Sequence, residues 1–398
     1  MNSLNFPPTR GDALSRLSQF VPHAGSAYAS GRNTDPGPEA RGAVSKLSPY
    51  VRHRLISEQE IVAAVLSQQS LQSAEKYVQE VLWRTYWKGW LEMRPSVWTR
   101  FIEERDRQRE MFPNARAIAS AEAGLTGIEG FDDWARELVA IGYLHNHARM
   151  WFASIWIFTL RLPWALGADF FMRHLIDADA ASNTLSWRWV AGLQTVGKTY
   201  LATTENITRY TNGRFAPKGL AHEAFVIHEA PLPAVQPLPE LPPCDTKNPA
   251  LLLVTSDDLS PESWLTADRP IVSTVIAADN DSKPESPAIK FLAGAIADTE
   301  ARASAHFGFP ARQLDAISAD GLIGAARAAN VSQIITAYAP TGPIADQLTY
   351  LTRILAQEGI AVHQVRRDWD SRFWPYAKKG FFPFKETIPD VLRNMGIL

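Results

Sequence analysis

At 398 residues, with a net charge of −2, one cysteine, and 46% hydrophobic against 21% charged residues, the chain has the make-up of a globular protein long enough for two cores. That balance argues against a positively charged coat for nonspecific nucleic-acid binding. The single Cys244 excludes an internal disulfide or a cysteine-built metal cluster, and no apolar run reaches the roughly 18 residues of a membrane span. Residues 1–10 lack a basic region followed by an apolar stretch, so the protein is expected in the cytoplasm. The nine histidines show no HExxH spacing, and His145 and His147, two apart, are expected to diverge on a helix; no metal site is expected.

From residue 57 to about residue 213 apolar residues recur at spacings of three and four, as in Ile61, Val65 and Leu66, then Tyr77, Val81 and Leu82. This predicts helix after helix, with a capping box at Ser57 and Glu60 and breaks at Pro95 and Pro113. Most of the thirteen tryptophans lie here, between Trp83 and Trp189. Residues 231–243 hold six prolines, which favours an extended segment at about 3.1 Å per residue, a reach of roughly 40 Å.

Past this segment the pattern changes to short β-branched runs alternating with helices. Strands are predicted at 251–255, 270–278, 333–339 and 360–365, and helices at 286–307, 319–330 and 342–358. Such alternation indicates a doubly wound parallel α/β sheet. The expected organisation is therefore an all-helical domain at 1–228, a proline-rich linker at 229–248 and an α/β domain at 249–398. The α/β region carries no GxGxxG or phosphate-loop lysine motif, so any nucleotide-like ligand there belongs beyond the carboxyl ends of the strands.

Three clusters could carry chemistry. Residues 142–150 and 177–189 gather His145, Asn146, Arg149, Met150, Asp177, Asp179, Asn183, Trp187 and Trp189, which suits either a buried polar site or a structural Asp–Arg pair in a tryptophan-rich core. Ser45, Lys46 and Ser48 offer hydroxyls, a cation and helix N-terminal amides, the equipment for a phosphate or for a plain N-cap. Glu80, Trp83, Arg84 and Trp87 share one helical stripe, which by itself reads as core with a salt bridge.

Taken together and in order, these clusters resemble the FAD domain of photolyases and cryptochromes over residues 6–215. The series runs from Phe6-Pro-Pro and Ala13 to Phe20, through Tyr28, to Val44-Ser-Lys-Leu-Ser-Pro-Tyr-Val51 and the helix from Glu80 to Tyr86. It continues with Thr126-Gly127, Asp132, Arg136 and Leu138, then His145 to Met150, and closes at Asp177 to Trp189. The resemblance implies an FAD held by Tyr28, Ser45, Lys46, Leu47, Ser48, Tyr77, Arg84, Asn146, Arg149, Asp177, Ala178, Asp179 and Asn183. Within it, Arg149 and Asp179 would form an ion pair against the isoalloxazine, and Asn183 would face its N5. Trp187 and Trp164 would be the proximal and middle members of an electron relay. No tryptophan stands at the distal position near Met111 and Phe112, so either another aromatic such as Trp156 substitutes or photoreduction is weak.

Glu80, Trp83, Asn146, Met150 and Trp189 match positions that line the lesion pocket of enzymes repairing cyclobutane pyrimidine dimers, which implies damaged DNA as partner, with Glu80, Asn183, Trp187 and Trp164 as catalytic residues. The chain departs from the family pattern at Val44, Thr85 and His147, where the family carries Thr, Glu and a DNA-facing Arg. Lys198, Arg209 and Arg214 in the tail offer phosphate contacts or a solvated loop. The family's α/β domain precedes the FAD domain, whereas here it follows, and Lys379-Gly-Phe-Phe-Pro-Phe384 resembles the end of that domain. The implied domain order is permuted. The opening RxDLR motif is reduced to Asp257-Asp258-Leu259, which argues against an inherited antenna site and leaves any second chromophore unassigned. Two functions follow from the resemblance: light-driven dimer repair by reduced FAD, or a cryptochrome-like blue-light photoreceptor or redox flavoprotein without repair.

Overall fold

The computed structural model describes residues 6–40, 42–244, 247–265, 269–278 and 286–398. The first half is helical. It opens with α1 (Arg10–Phe20), α2 (Ser26–Gly31), α3 (Ser48–Arg52) and α4 (Glu58–Leu66), the last begun by the capping box of Ser57 and Glu60. The long α5 (Leu71–Glu92) follows and is the spine of the molecule, packing against α2 and α4. Pro95 separates it from α6 (Ser96–Met111), and Asn114 caps α7 (Ala115–Glu122). Then come α8 (Phe131–Ile141), α9 (Asn146–Ser154), α10 (Trp164–His174), α11 (Ala180–Val190) and α12 (Thr204–Tyr210). Gly142 ends α8 at φ 74°, a left-handed conformation that costs glycine little. A π-helical turn at Ile155–Thr159 prolongs α9 and carries Trp156.

The second half is built on five parallel strands in the order β3-β2-β1-β4-β5. They are β1 (Ala250–Thr255), β2 (Ile271–Ala277), β3 (Ala311–Leu314), β4 (Gln333–Ala337) and β5 (Ala361–Val365). The crossovers are α13 (Pro287–Phe307), α14 (Ala319–Ala328) and α15 (Pro343–Gln357), so the chain is a doubly wound α/β fold joined to a helical one. β3, four residues long with Arg312 and Gln313 exposed, is a strand the sequence pattern does not announce.

Alternation along the strands divides the burial. Leu252, Val254 and Ile276 join Phe291 and Ala295 of α13 in one core with the helical half, while Leu251, Leu253 and Val275 pack with α14 and α15 in a second core. Two terminal helices, α16 (Asp368–Phe373) and α17 (Phe381–Asn394), leave the sheet and return to α5. A Cβ at Gly89 of α5 would lie within 2.9 Å of Trp374, so the glycine permits that approach. The proline-rich segment is held as a strap: Gln236 N donates to Met93 O at 2.9 Å, Arg100 Nη1 to Pro231 O at 2.8 Å and Arg366 Nη1 to Pro239 O at 3.1 Å.

The crevice where a doubly wound sheet usually binds ligands, beyond the carboxyl ends of β1 and β4, is filled by the helical half. Arg52 pairs with Asp257 at 2.6 Å, and Arg54, 2% exposed, pairs with Asp370 at 2.9 Å and Asp258 at 3.4 Å. Leu259 N donates to His53 O at 2.9 Å. Burial, followed by Arg52, pushes the His53 imidazole down to about 4, and its neutral ring sits 2.8 Å from Ser256 O. Tyr338 OH donates to Glu92 at 2.6 Å. The reduced motif Asp257-Asp258-Leu259 thus serves as the seam between the halves.

Candidate functional site: a polar-lined cavity in the helical half

A cavity of about 620 Å³ opens among the helices, within the range of small-molecule and cofactor sites. α5 lines it with Tyr77, Glu80, Trp83, Arg84 and Trp87, the stripe that helical spacing predicts. α9 contributes Asn146, Arg149 and Met150, and α11 contributes Ser182, Asn183, Trp187 and Trp189. The loop before α3 adds Val44, Ser45 and Leu47, α3 adds its first residue Ser48, and Tyr28, Asp177, Ala178 and Asp179 complete the polar wall. Nearly all the sequence-predicted residues therefore converge on one space.

Two do not line it. Lys46 stands at φ 54°, and this left-handed turn between Ser45 and Leu47 separates it from their lining. Its ammonium instead shares a charged cluster with Arg16, Glu137 and Asp35; burial comes first, then Arg16, in pulling its pKa down. Trp164 is 3% exposed and packs on Phe101 at 5.7 Å between ring centroids. Trp187 meets Phe171 at 5.1 Å and Trp156 at 6.3 Å, edge to face, so Trp156 is a direct aromatic neighbour of the cavity wall. Gly167 makes room for this pair, since a Cβ there would lie 2.8 Å from Trp156 Nε1 and collide with Trp187.

The central ion pair differs from the expected one. Arg149 Nη2 bonds Asp177 at 2.9 Å, while Asp179 lies 3.1 Å from Lys88 Nζ and 3.8 Å from Arg84 Nη1. The reason is local: Asp179 is the N-cap of α11, its carboxylate accepting from Ser182 N at 2.8 Å, which turns it toward α5 and leaves Asp177 to Arg149. Burial would raise both carboxyls, but the neighbouring cations outweigh it, Arg149 at Asp177 and Lys88, Arg84 and Arg52 at Asp179, holding both below the usual range. Lys88 lies one helical turn beyond Arg84, a spacing that could have flagged it.

Glu80 is different. It exposes 40% of its side chain, yet it lines the cavity and is ringed by protein, so lost hydration raises its pKa above 4.5 despite Arg32 at 3.8 Å. Asn183 Nδ2 donates to Ala168 O at 2.8 Å, which fixes the amide plane. Among buried polar atoms, Arg84 Nη1, Ser182 Oγ and Trp187 Nε1 make no hydrogen bond, although all three residues line the cavity. Each such atom costs about 1–3 kcal/mol unless something pairs with it.

The departures from the family pattern acquire explanations. Thr85 Oγ1 accepts from Trp369 Nε1 at 3.0 Å, so this position serves the contact between halves. His147 is half-buried against Trp151 and Tyr210 rather than facing outward. His145 caps α9 by accepting from His147 N at 3.2 Å, and the two rings lie 5.8 Å apart instead of diverging on one helix. Arg214 pairs with Asp35 at 2.9 Å and Arg209 lies over Tyr210, whereas Lys198 is exposed. Among the described residues no group of three or more His, Cys, Asp or Glu could hold a metal, and no helix is long and apolar enough to cross a membrane.

Residues 77–221 match the family model described as the FAD binding domain of DNA photolyase. A deoxyribodipyrimidine photo-lyase of Streptomyces griseus is 35% identical over 157 residues, 39% of this chain and 34% of that protein. One of Alkalihalophilus pseudofirmus is 30% identical over 215 residues, 54% of this chain and 44% of that protein. The chain thus spans between a third and a half of the length of these curated relatives. Among solved structures, a bacterial class III photolyase from Agrobacterium tumefaciens aligns with a TM-score of 0.44 at 25% identity, over 52% of this chain and 43% of that one. Over residues 77–221 the chain is therefore similar to the FAD binding domain of DNA photolyase.

Proposed function

We propose that the protein is a light-driven DNA repair flavoprotein acting on cyclobutane pyrimidine dimers, with the helical half at 1–228 as its FAD domain and 249–398 as an antenna-like α/β domain in permuted order. The observation that carries this reading is convergence: Glu80, Trp83, Asn146, Met150 and Trp189 line the same cavity as Arg149, Asp177 and Asn183.

The cavity fits FAD by its unmatched groups. Ser182 Oγ and Trp187 Nε1 are buried donors without a hydrogen bond, Arg84 Nη1 reaches only Asp179 at 3.8 Å, and Ser45 just before α3 and Ser48 at its start offer hydroxyls suited to a diphosphate. Arg149 and Asp177 would flank the isoalloxazine ring, and Asn183 would present its amide to it, with one N–H already committed to Ala168 O. Reduced FAD bound here would supply, on absorbing light, an electron that the dimer accepts and returns as its cyclobutane ring splits. Trp83 and Trp189 would wall the flipped-out dimer with apolar faces, and Met150 would fill the gap between aromatic rings. Glu80, held protonated to higher pH than an ordinary carboxyl, would donate a hydrogen bond to a pyrimidine carbonyl. Trp187 and its neighbour Trp156 would carry electrons toward the flavin, with Trp164 near Phe101 as the other aromatic branch.

The test is illumination of the reduced protein with dimer-containing single-stranded and duplex DNA, following dimer loss. Repair of either substrate is the expected result. A flavin-loaded protein that repairs neither overturns the reading in favour of a photoreceptor or redox role.

A further inference from the structure

Phe382 lines the cavity, yet it is 78% exposed. It comes from the α/β half, and the turn that carries it is fixed to α5. Arg94 Nη2 donates to Lys378 O and Tyr86 OH to Lys379 O, both at 2.7 Å. Phe381, immediately before Phe382, stacks on Trp83 with ring centroids 3.7 Å apart and planes 10° from parallel, and meets Tyr86 edge to face at 5.4 Å. The chain leading into Phe382 is thereby pinned to the cavity wall while the ring itself is exposed. Lys378, Lys379, Gly380 and Pro383 around it are also exposed.

A ring so held is a preorganised stacking surface, because its ordering cost is met by the contacts of its neighbours. The surroundings indicate what stacks there. A protein partner is usually met by a broad apolar patch, whereas Phe382 follows two exposed lysines within four residues, the pairing of aromatic face and cation that suits a base with its phosphates. Drawing a dimer into the cavity leaves a gap in the duplex, and the base opposite that gap loses its partners.

We infer that Phe382 stacks on an unpaired base at the cavity mouth, with Lys378 and Lys379 on the adjoining phosphates, so that the α/β half holds the duplex open. This inference rests on the repair reading above. It adds a binding role for a segment lying outside the family match at residues 77–221.

The experiment measures binding of the flavin-loaded full chain to a dimer-containing duplex and to the same strand alone, as a function of salt. F382A is expected to weaken duplex binding about tenfold and single-strand binding much less, and F382W to restore it. K378A/K379A is expected to lower the slope of log affinity against log salt by roughly 1 to 2. Because Phe382 is exposed, thermal melting of F382A should match the parent, which separates a binding defect from misfolding. Duplex binding unchanged in F382A overturns the inference, as does an equal loss on both substrates. A parent dimer that F382A dissociates, with DNA binding intact, assigns the ring to a second copy of the chain and overturns it too. Parent protein that repairs dimers while F382A behaves identically sinks this inference alone; parent protein that neither binds nor repairs dimer DNA sinks both readings.

Discussion

The cavity in the helical half and the crevice at the carboxyl ends of the sheet both gather buried charge, and they have opposite fates. In the crevice the charges find partners within the protein: Arg54 takes Asp258 and Asp370, Arg52 takes Asp257, and the remaining space is about 10 Å³. In the cavity about 620 Å³ stays open, Ser182 Oγ and Trp187 Nε1 make no hydrogen bond, and Arg84 Nη1 reaches only Asp179 at 3.8 Å. Charge density alone therefore does not mark a ligand site. Open volume walled by polar side chains does, and that is what separates the cavity from the crevice.

The largest effect should come from breaking the closed side of this comparison. R54A strands Asp258 and Asp370 in a buried setting and is expected to cost about 3–5 kcal/mol in denaturant unfolding, with little change in flavin spectrum among the molecules that remain folded. Next, D177N removes the partner of Arg149 while keeping side-chain shape; FAD affinity measured by flavin fluorescence should fall tenfold or more. If the cavity were merely structural core, D177N would change unfolding and leave flavin retention untouched.

Glu80 gives a several-fold effect that depends on pH. Its raised pKa means the protonated form survives above the usual carboxylate range, so dimer repair should decline as pH rises through that shifted value. E80Q should repair less well at low pH and lose the pH dependence; a slope that persists in E80Q assigns it to another group. The smallest effect is expected at Glu137, where burial and then Asp35 push the carboxyl up to about 8 against Arg214 and Lys46. The folded state then holds a proton that the unfolded state has released between about pH 4.5 and 8, so stability falls with rising pH across that window. E137Q should flatten this slope in thermal melts and be the more stable form at pH 8.

Much of the helical half was legible because its signals are local. The capping box at Ser57, the stripe from Tyr77 to Trp87 and the ordered motifs through Trp189 depend on spacing along a single helix or loop. The parallel sheet was also legible, except for β3, whose four residues are too short and too polar at Arg312 and Gln313 to stand out. What escaped was geometry set by backbone turns or by distant contacts. Asp177 and Asp179 differ only by two positions, and which one reaches Arg149 is decided by the N-cap of α11. Lys46 is removed from the cavity by one positive φ. Phe382 joins the cavity across almost two hundred residues of intervening chain, a contact no local pattern encodes.

That last distance has a consequence in time. Trp83 leaves the ribosome long before Phe381, and at about 5–20 residues per second the interval is roughly 15–60 s. During it the nascent helical half displays the face of Trp83 that Phe381 later covers. The order of synthesis thus sets a window in which this face is open to a chaperone, or to premature association with another nascent chain, before the C-terminal helix docks.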